Sequence, residues 1–297
     1  MKKVALALAA VLACGVGHAA DTLAKIKSAN KIVIGTRDSS APLAYTTGDG
    51  KYVGYHVEVC QKIADAIKAN LKMPSLPVEY QVVTSQNRIP LVQNGTVDME
   101  CGSTTNSTAR QKDVAFAPTT FVTNVRIAVK ANSGITSIAQ LKDKTVATTT
   151  GTTSVQLLRK HERANGVDFK ELFGKDHADS FLLLESGRAD AFVMDGQILA
   201  GLRSKSKNPD DYVILGDVLS VEPIACMMRK DDPAFQKAVD NSIQGMIKSG
   251  QLTKMYDKWF VQAIPPANTK VGLPLSDATK AAWANPNTKP MEEYATP

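Results

Sequence analysis

Two octets of this chain follow nearly the same pattern. Leu91-Val92-Gln93-Asn94-Gly95-Thr96-Val97-Asp98 and Leu183-Leu184-Glu185-Ser186-Gly187-Arg188-Ala189-Asp190 both open on an amphipathic turn, pass through a glycine, reach an aspartate and run into a short apolar stretch. Glycine takes the left-handed conformation that ends a helix, so each copy predicts a helix, a stop and a strand, which is one α/β unit. Two such units predict two similar lobes with a cleft between them. Small polar residues follow each strand, Gly102-Ser103-Thr104-Thr105 in the first and Asp195-Gly196 in the second, where open α/β sheets hold ligands.

The N-terminus has the layout of a secretory signal peptide over residues 1–20: Met1-Lys2-Lys3, an apolar run from Val4 to Leu12, then small residues ending Gly17-His18-Ala19-Ala20. The mature chain is expected to begin at Ala20 or Asp21. An alternative for the same segment is a lipobox at Val11-Leu12-Ala13-Cys14, with Cys14 carrying a lipid anchor. No later stretch reaches the roughly eighteen apolar residues of a spanning helix. The protein is therefore expected to work outside the cytoplasm. Removing Lys2 and Lys3 lowers the 35 basic side chains to 33 against 29 acidic ones, a net charge of +4. Lysines such as Lys62 and Lys68 are scattered along predicted helices without a basic block, which argues against a nucleic-acid surface.

Cys60, Cys101 and Cys226 remain after processing, and an oxidising compartment allows one disulfide and one leftover thiol. The sequence does not assign the pair. Their spacing fits no zinc pattern, and His56, His161 and His177 have no partners at metal-ligand separation, so neither metal nor cofactor is expected.

Lys31 to Gly35 reads as a buried strand that leaves Arg37 in the loop after it. Val59, Ile63, Ala66 and Ile67 recur at helical spacing, and Val78, Tyr80 and Val82 alternate as in a strand. Phe121 to Lys130 is long enough to leave one lobe and enter another, and Ile224 to Met228 would return. The expected division is residues 21–124 and 228–270 for a discontinuous first lobe, 125–227 for the second, and 271–297 for a surface extension.

Catalytic signatures are missing: there is no Gly-x-Ser-x-Gly elbow, P-loop or dinucleotide fingerprint. Binding is the default. Thr148 to Ser154 ends a strand and opens a helix, so either its N–H groups receive an anion or Thr152 or Thr153 caps the helix. Arg37, Arg88 and Arg110 lie at predicted cleft edges, and their planar forks match carboxylates, which suggests a ligand with two of them. Asp195, ending a buried strand, would counter an ammonium or cap the next turn. His177 would donate to an anion or lie exposed.

The stretches Gly35-Thr36-Arg37-Asp38-Ser39-Ser40, Thr84-Ser85-Gln86-Asn87-Arg88-Ile89-Pro90-Leu91, Glu100-Cys101-Gly102-Ser103-Thr104-Thr105-Asn106 with Arg110, Gly151-Thr152-Thr153-Ser154 and Lys175-Asp176-His177 resemble the periplasmic solute-binding proteins of ABC transporters for polar amino acids, in their glutamate- and aspartate-binding branch. The resemblance covers nearly all of the mature chain. It implies a type II two-lobe periplasmic binding protein fold, each lobe a mainly parallel sheet flanked by helices and joined by two crossover strands. By the same resemblance Arg110 and the helix start at Thr153 grip an α-carboxylate, while Asp195, Ser103 and Thr105 hold an α-ammonium. Arg37, Ser85, Arg88 and His177 surround a side-chain carboxylate. The implied partners are L-glutamate or L-aspartate and the membrane subunits of an ABC transporter, with the protein acting as a monomer. Cys60 departs from the pattern, so no disulfide through it is carried over. An exported enzyme similar to cyclohexadienyl dehydratases is the competing reading. It needs a general acid in the cleft, and the sequence shows no carboxylate to spare beyond Asp195.

Overall fold

The computed structural model describes residues 21–295; the expected signal peptide at 1–20 and the Cys14 alternative lie outside the described residues. The repeated octet explains itself in three dimensions. Gly95 and Gly187 both have positive φ, 76° and 75°, and each ends its helix as the spacing predicts. The Asp98 N–H donates to the Val33 carbonyl at 2.8 Å and the Asp98 carboxylate takes the Val33 N–H at 2.8 Å. In the second copy Asp190 does the same with Thr145, both bonds again 2.8 Å. Each aspartate thus pins the start of its strand to the parallel neighbouring strand.

The first sheet runs, in spatial order, Val78–Val82, Ile32–Thr36, Met99–Glu100, Met227–Arg229 and Val114–Phe116. Its first three strands are parallel and Met227–Arg229 is antiparallel to both neighbours. The helix Tyr55–Leu71 buries Val59, Cys60, Ile63 and Ile67 against one face. Beside it lies the helix Pro233–Lys248, started by Asp232, whose carboxylate accepts the Phe235 N–H at 3.1 Å, and buried through Phe235, Val239, Ile243 and Met246. Val33, Val83, Val92 and Met227 fill the opposite face.

The second sheet runs Lys170–Gly174, Thr145–Thr149, Ala191–Asp195, Phe121–Lys130 and Tyr212–Ile214. Phe121–Lys130, read from the sequence as a connector, is also this sheet's antiparallel core: it pairs with Ala191–Asp195 on one edge and with Tyr212–Ile214 and Ser220–Ile224 on the other. Ten residues are enough for both jobs because Phe121–Val125 serves the hinge ribbon with Ser220–Ile224, while the rest enters the lobe. The two-lobe α/β architecture expected from the sequence therefore holds, with mixed sheets where mainly parallel ones were expected.

Cys60 and Cys101 form the disulfide, a pairing that the resemblance did not carry over, and Cys226 is a buried free thiol. Closing a loop of 41 residues stabilises by about 4 kcal/mol in the chain-entropy account. All three sulfurs lie within 4.8 Å of one another, but the bond between two of them leaves a single thiol as a metal ligand.

The segment after 271 lies along the hinge. Its helix Asp277–Ala284 takes the Val122 N–H on the Thr279 hydroxyl at 3.1 Å, and buried Trp283 donates its indole N–H to the Thr120 carbonyl at 3.1 Å. No described helix is long and apolar enough to cross a membrane.

Candidate functional site

The nine residues singled out in the sequence meet where the lobes touch. Arg37 follows the strand Ile32–Thr36 and is fully buried. One of its terminal nitrogens donates to the Ser103 hydroxyl at 3.2 Å; the other pairs with the Asp176 carboxylate and lies 3.2 Å from Nε2 of His177. Asp176 and His177 begin the second-lobe helix His177–Glu185, so this contact crosses the cleft. Nδ1 of His177 lies 3.0 Å from the Thr149 hydroxyl. Burial, then the Arg37 charge, pushes His177 down to about 3, so its ring is neutral at physiological pH, accepting from Arg37 at Nε2 and donating from Nδ1. Of the two readings of His177, the exposed one is excluded.

Arg88 opens the short helix Arg88–Gln93 after the Thr84–Asn87 turn and is 2% exposed. Its Nε and Nη1 have no partner among the described residues, and neither has the buried Ser85 hydroxyl. Burial, then Arg110, lowers the Arg88 pKa well below its ordinary value, with Glu100 opposing and Arg37 adding to the effect. A guanidinium keeps its proton even so, and the cost persists as positive potential that an anion would relieve.

Arg110 donates to the Thr105 carbonyl at 2.9 Å and, across the cleft, to the Gly151 carbonyl at 3.3 Å. Gly151 needs its positive φ of 80° and its missing side chain: a Cβ there would stand 2.8 Å from the Gln86 backbone nitrogen. Two residues on, Thr153 starts the helix Thr153–Asn165. Thr152 occupies the N-cap position, yet its hydroxyl turns back to the Thr149 carbonyl at 2.7 Å and no side chain caps this helix. The capping alternative is thereby removed, leaving the first N–H groups of this helix without a side-chain cap.

Asp195 ends the strand Ala191–Asp195 and is 4% exposed. Its carboxylate accepts from the Gln197 side chain at 3.2 Å and caps nothing. Burial, then the neighbouring Glu222, pushes its carboxyl up. A cation beside it would reverse that shift.

Two acidic residues escaped the sequence reading. Glu222, fully buried in the hinge strand Ser220–Ile224, accepts hydroxyls from Ser220 at 2.9 Å, from Thr153 at 2.9 Å and from Thr105. Glu100, also buried, takes the Thr104 hydroxyl at 2.7 Å on one oxygen and has no partner for the other. The statement that the cleft has no carboxylate beyond Asp195 is corrected. A charge inside an otherwise apolar stretch is costly, and Met99-Glu100-Cys101 carried that signal for Glu100.

Residues 32–262 match the family described as bacterial extracellular solute-binding proteins, family 3. The glutamate/aspartate import solute-binding protein of Escherichia coli strain K12 is 45% identical over 291 residues, 96% of each chain. The L-glutamate/L-aspartate-binding protein of Pseudomonas aeruginosa is 44% identical over 273 residues, 92% of this chain and 90% of its own. The solved solute receptor for L-cysteine of Neisseria gonorrhoeae superposes with a TM-score of 0.72 at 27% identity, over 84% of this chain and 99% of its own. Curated relatives this similar are solute-binding proteins and not enzymes, so the dehydratase alternative is the less supported one. The chain belongs to the bacterial extracellular solute-binding proteins, family 3.

Proposed function

We propose that this protein captures L-glutamate or L-aspartate in the periplasm by hinge closure and delivers it, as a monomer, to the membrane subunits of an ABC importer. The observation that carries the reading is the buried Arg88, whose Nε and Nη1 have no partner among the described residues in a seam shared with Arg37, Arg110 and the strand-end carboxylate of Asp195. Arg37, Arg88 and Arg110 offer partners for two anions, and Asp195, beside the hydroxyl-bonded Glu222, offers one for a cation, the charge pattern of an acidic amino acid. The names of the E. coli and P. aeruginosa relatives support the same ligand class.

The first lobe supplies Arg37, Ser85, Arg88, Ser103, Thr105 and Arg110, and the second closes with Thr153, His177 and Asp195. Arg110 with the Thr153 N–H would hold the α-carboxylate, Asp195 the ammonium, and Arg37, Arg88 and Ser85 the side-chain carboxylate. His177 enters as neutral support of Arg37. Glutamine would leave buried guanidinium donors poorly matched, a loss of about 1–3 kcal/mol.

Calorimetric titration of the ligand-free mature protein with glutamate, aspartate, glutamine and succinate tests this. Glutamate or aspartate should bind far more tightly than the other two, and Arg88→Ala should abolish the preference for glutamate over glutamine without changing the fold. Equal affinity for glutamate and glutamine in the unmodified protein would overturn the proposal.

A further inference from the structure

The hydroxyls of Thr105 and Thr153 come from different lobes and end on the same oxygen of one hinge carboxylate, Glu222. A hydroxyl has one proton to give, and each of these has given it. What remains on either oxygen is lone pairs. Such groups can receive a hydrogen bond from a ligand but cannot offer one, so they favour an ammonium and disfavour a carboxylate. Ser220 donates to the other Glu222 oxygen at 2.9 Å, so the carboxylate is held by three hydroxyls and does not turn freely. Glu222 is fully buried, and its charge reaches both Asp195 and Arg110.

We infer that Glu222 is the specificity-determining residue that makes this cleft require an ammonium group, by fixing the Thr105 and Thr153 hydroxyls as acceptors and adding a second negative charge behind Asp195. The inference rests on the acidic amino acid reading and deepens it: Asp195 alone would tolerate a dicarboxylate without nitrogen better than the pair does. It also assigns the α-carboxylate to the Thr153 backbone N–H and Arg110, since the Thr153 side chain has no proton left for an anion. Because Thr105 lies in the first lobe and Thr153 in the second, the same carboxylate joins the lobes only when they meet.

Glutarate is glutamate without its ammonium group, so the ratio of the two dissociation constants isolates this role. Calorimetry on the mature protein should show glutamate strongly preferred. Glu222→Met removes the acceptor at similar length and frees both hydroxyls to donate; the glutarate-to-glutamate ratio should fall by at least tenfold, with the loss on the glutamate side. A merely structural role would weaken both ligands alike and leave the ratio unchanged, which would overturn the inference. Glu222→Gln should fall between, because its carbonyl can still serve the threonines if Ser220 reverses. Should Glu222→Met fail to fold, Thr105→Val removes one lone-pair donor while leaving Glu222 in place, and it must lower the ratio in the same direction or the inference fails. If the unmodified protein binds neither glutamate nor aspartate, the ligand class itself is wrong; normal glutamate binding with an unmoved ratio condemns only the role of Glu222.

Discussion

Arg37 of the first lobe and Asp176 of the second form an ion pair across the cleft, with the guanidinium fully buried. Only contacts made when the lobes meet can bias the protein toward closure, and this pair is one of them. Asp176→Asn keeps the shape and removes the charge, leaving the guanidinium under-satisfied at a cost of about 1–3 kcal/mol. The dissociation constant for glutamate should rise roughly tenfold or more, read by calorimetry. Burial raises the Asp176 carboxyl, but Arg37 and His177 outweigh it and hold it below its ordinary value. The contribution of the pair is therefore complete at neutral pH and lost only as pH falls through that lowered value.

The two buried histidines predict separate acid effects. Burial pushes His56 down to about 4, despite the opposing Gly102 carbonyl, and His177 down to about 3. A group with a depressed native pKa binds its proton first in the unfolded or open state, so stability is complete above about 6.5 and falls as pH drops below it, by about 1.4 kcal/mol per unit for each group. His56 lies within the first lobe, so melting temperature should decline below pH 6.5, and His56→Gln should flatten that decline. His177 lies at the seam, so glutamate affinity should weaken over the same window even where the lobes stay folded; a flat affinity between pH 7 and 5 would contradict its buried, neutral placement.

Gly151 and Gly201 mark where the lobes approach backbone to backbone. A Cβ on Gly201 would stand 2.4 Å from the Ala41 carbonyl, and one on Gly151 would stand 2.8 Å from the Gln86 nitrogen. Gly151→Ala should weaken glutamate binding at least tenfold, because backbone on both sides prevents relief of the clash. Small-angle scattering with saturating ligand should show the variant more extended than the unmodified protein.

Trp283 ties the C-terminal segment to the back of the hinge, 7% exposed and bonded to the Thr120 carbonyl. Trp283→Ala should cost about 3–5 kcal/mol and lower the melting temperature by on the order of 10 °C. Met291 N–H to Asn106 O at 2.9 Å and the Glu292 carboxylate on Thr108 continue the strap to the loop that presents Arg110. Truncation after Val271 should therefore weaken ligand binding as well as stability, measured by calorimetry and thermal denaturation together.

Much of the cleft was legible one residue at a time. Arg37 and Asp195 were readable because each follows or ends a strand at a position where a charge has no structural reason to be, and Arg88 because it lies beside a loop at the predicted cleft edge. Glu222 was not, since a single acid in the alternating run Ser220–Ile224 looks like the outward face of a strand until that strand is seen buried in the hinge. The Cys60–Cys101 pair was equally hidden: three cysteines permit three pairings, and only the packing of the helix Tyr55–Leu71 on the end of the strand Met99–Glu100 selects one.

The amino-acid sequence alone determined the two α/β units, through local periodicity and the glycine and aspartate of the repeated octet, and it determined which charged groups were available. The tertiary structure alone decided which of them meet. Arg37 with Asp176, Arg110 with Gly151, and Thr105 with Thr153 through Glu222 join residues far apart in the chain, and the hinge sets their distances. Hydrogen bonds and buried charges depend on distance and desolvation in space, which local sequence pattern does not encode.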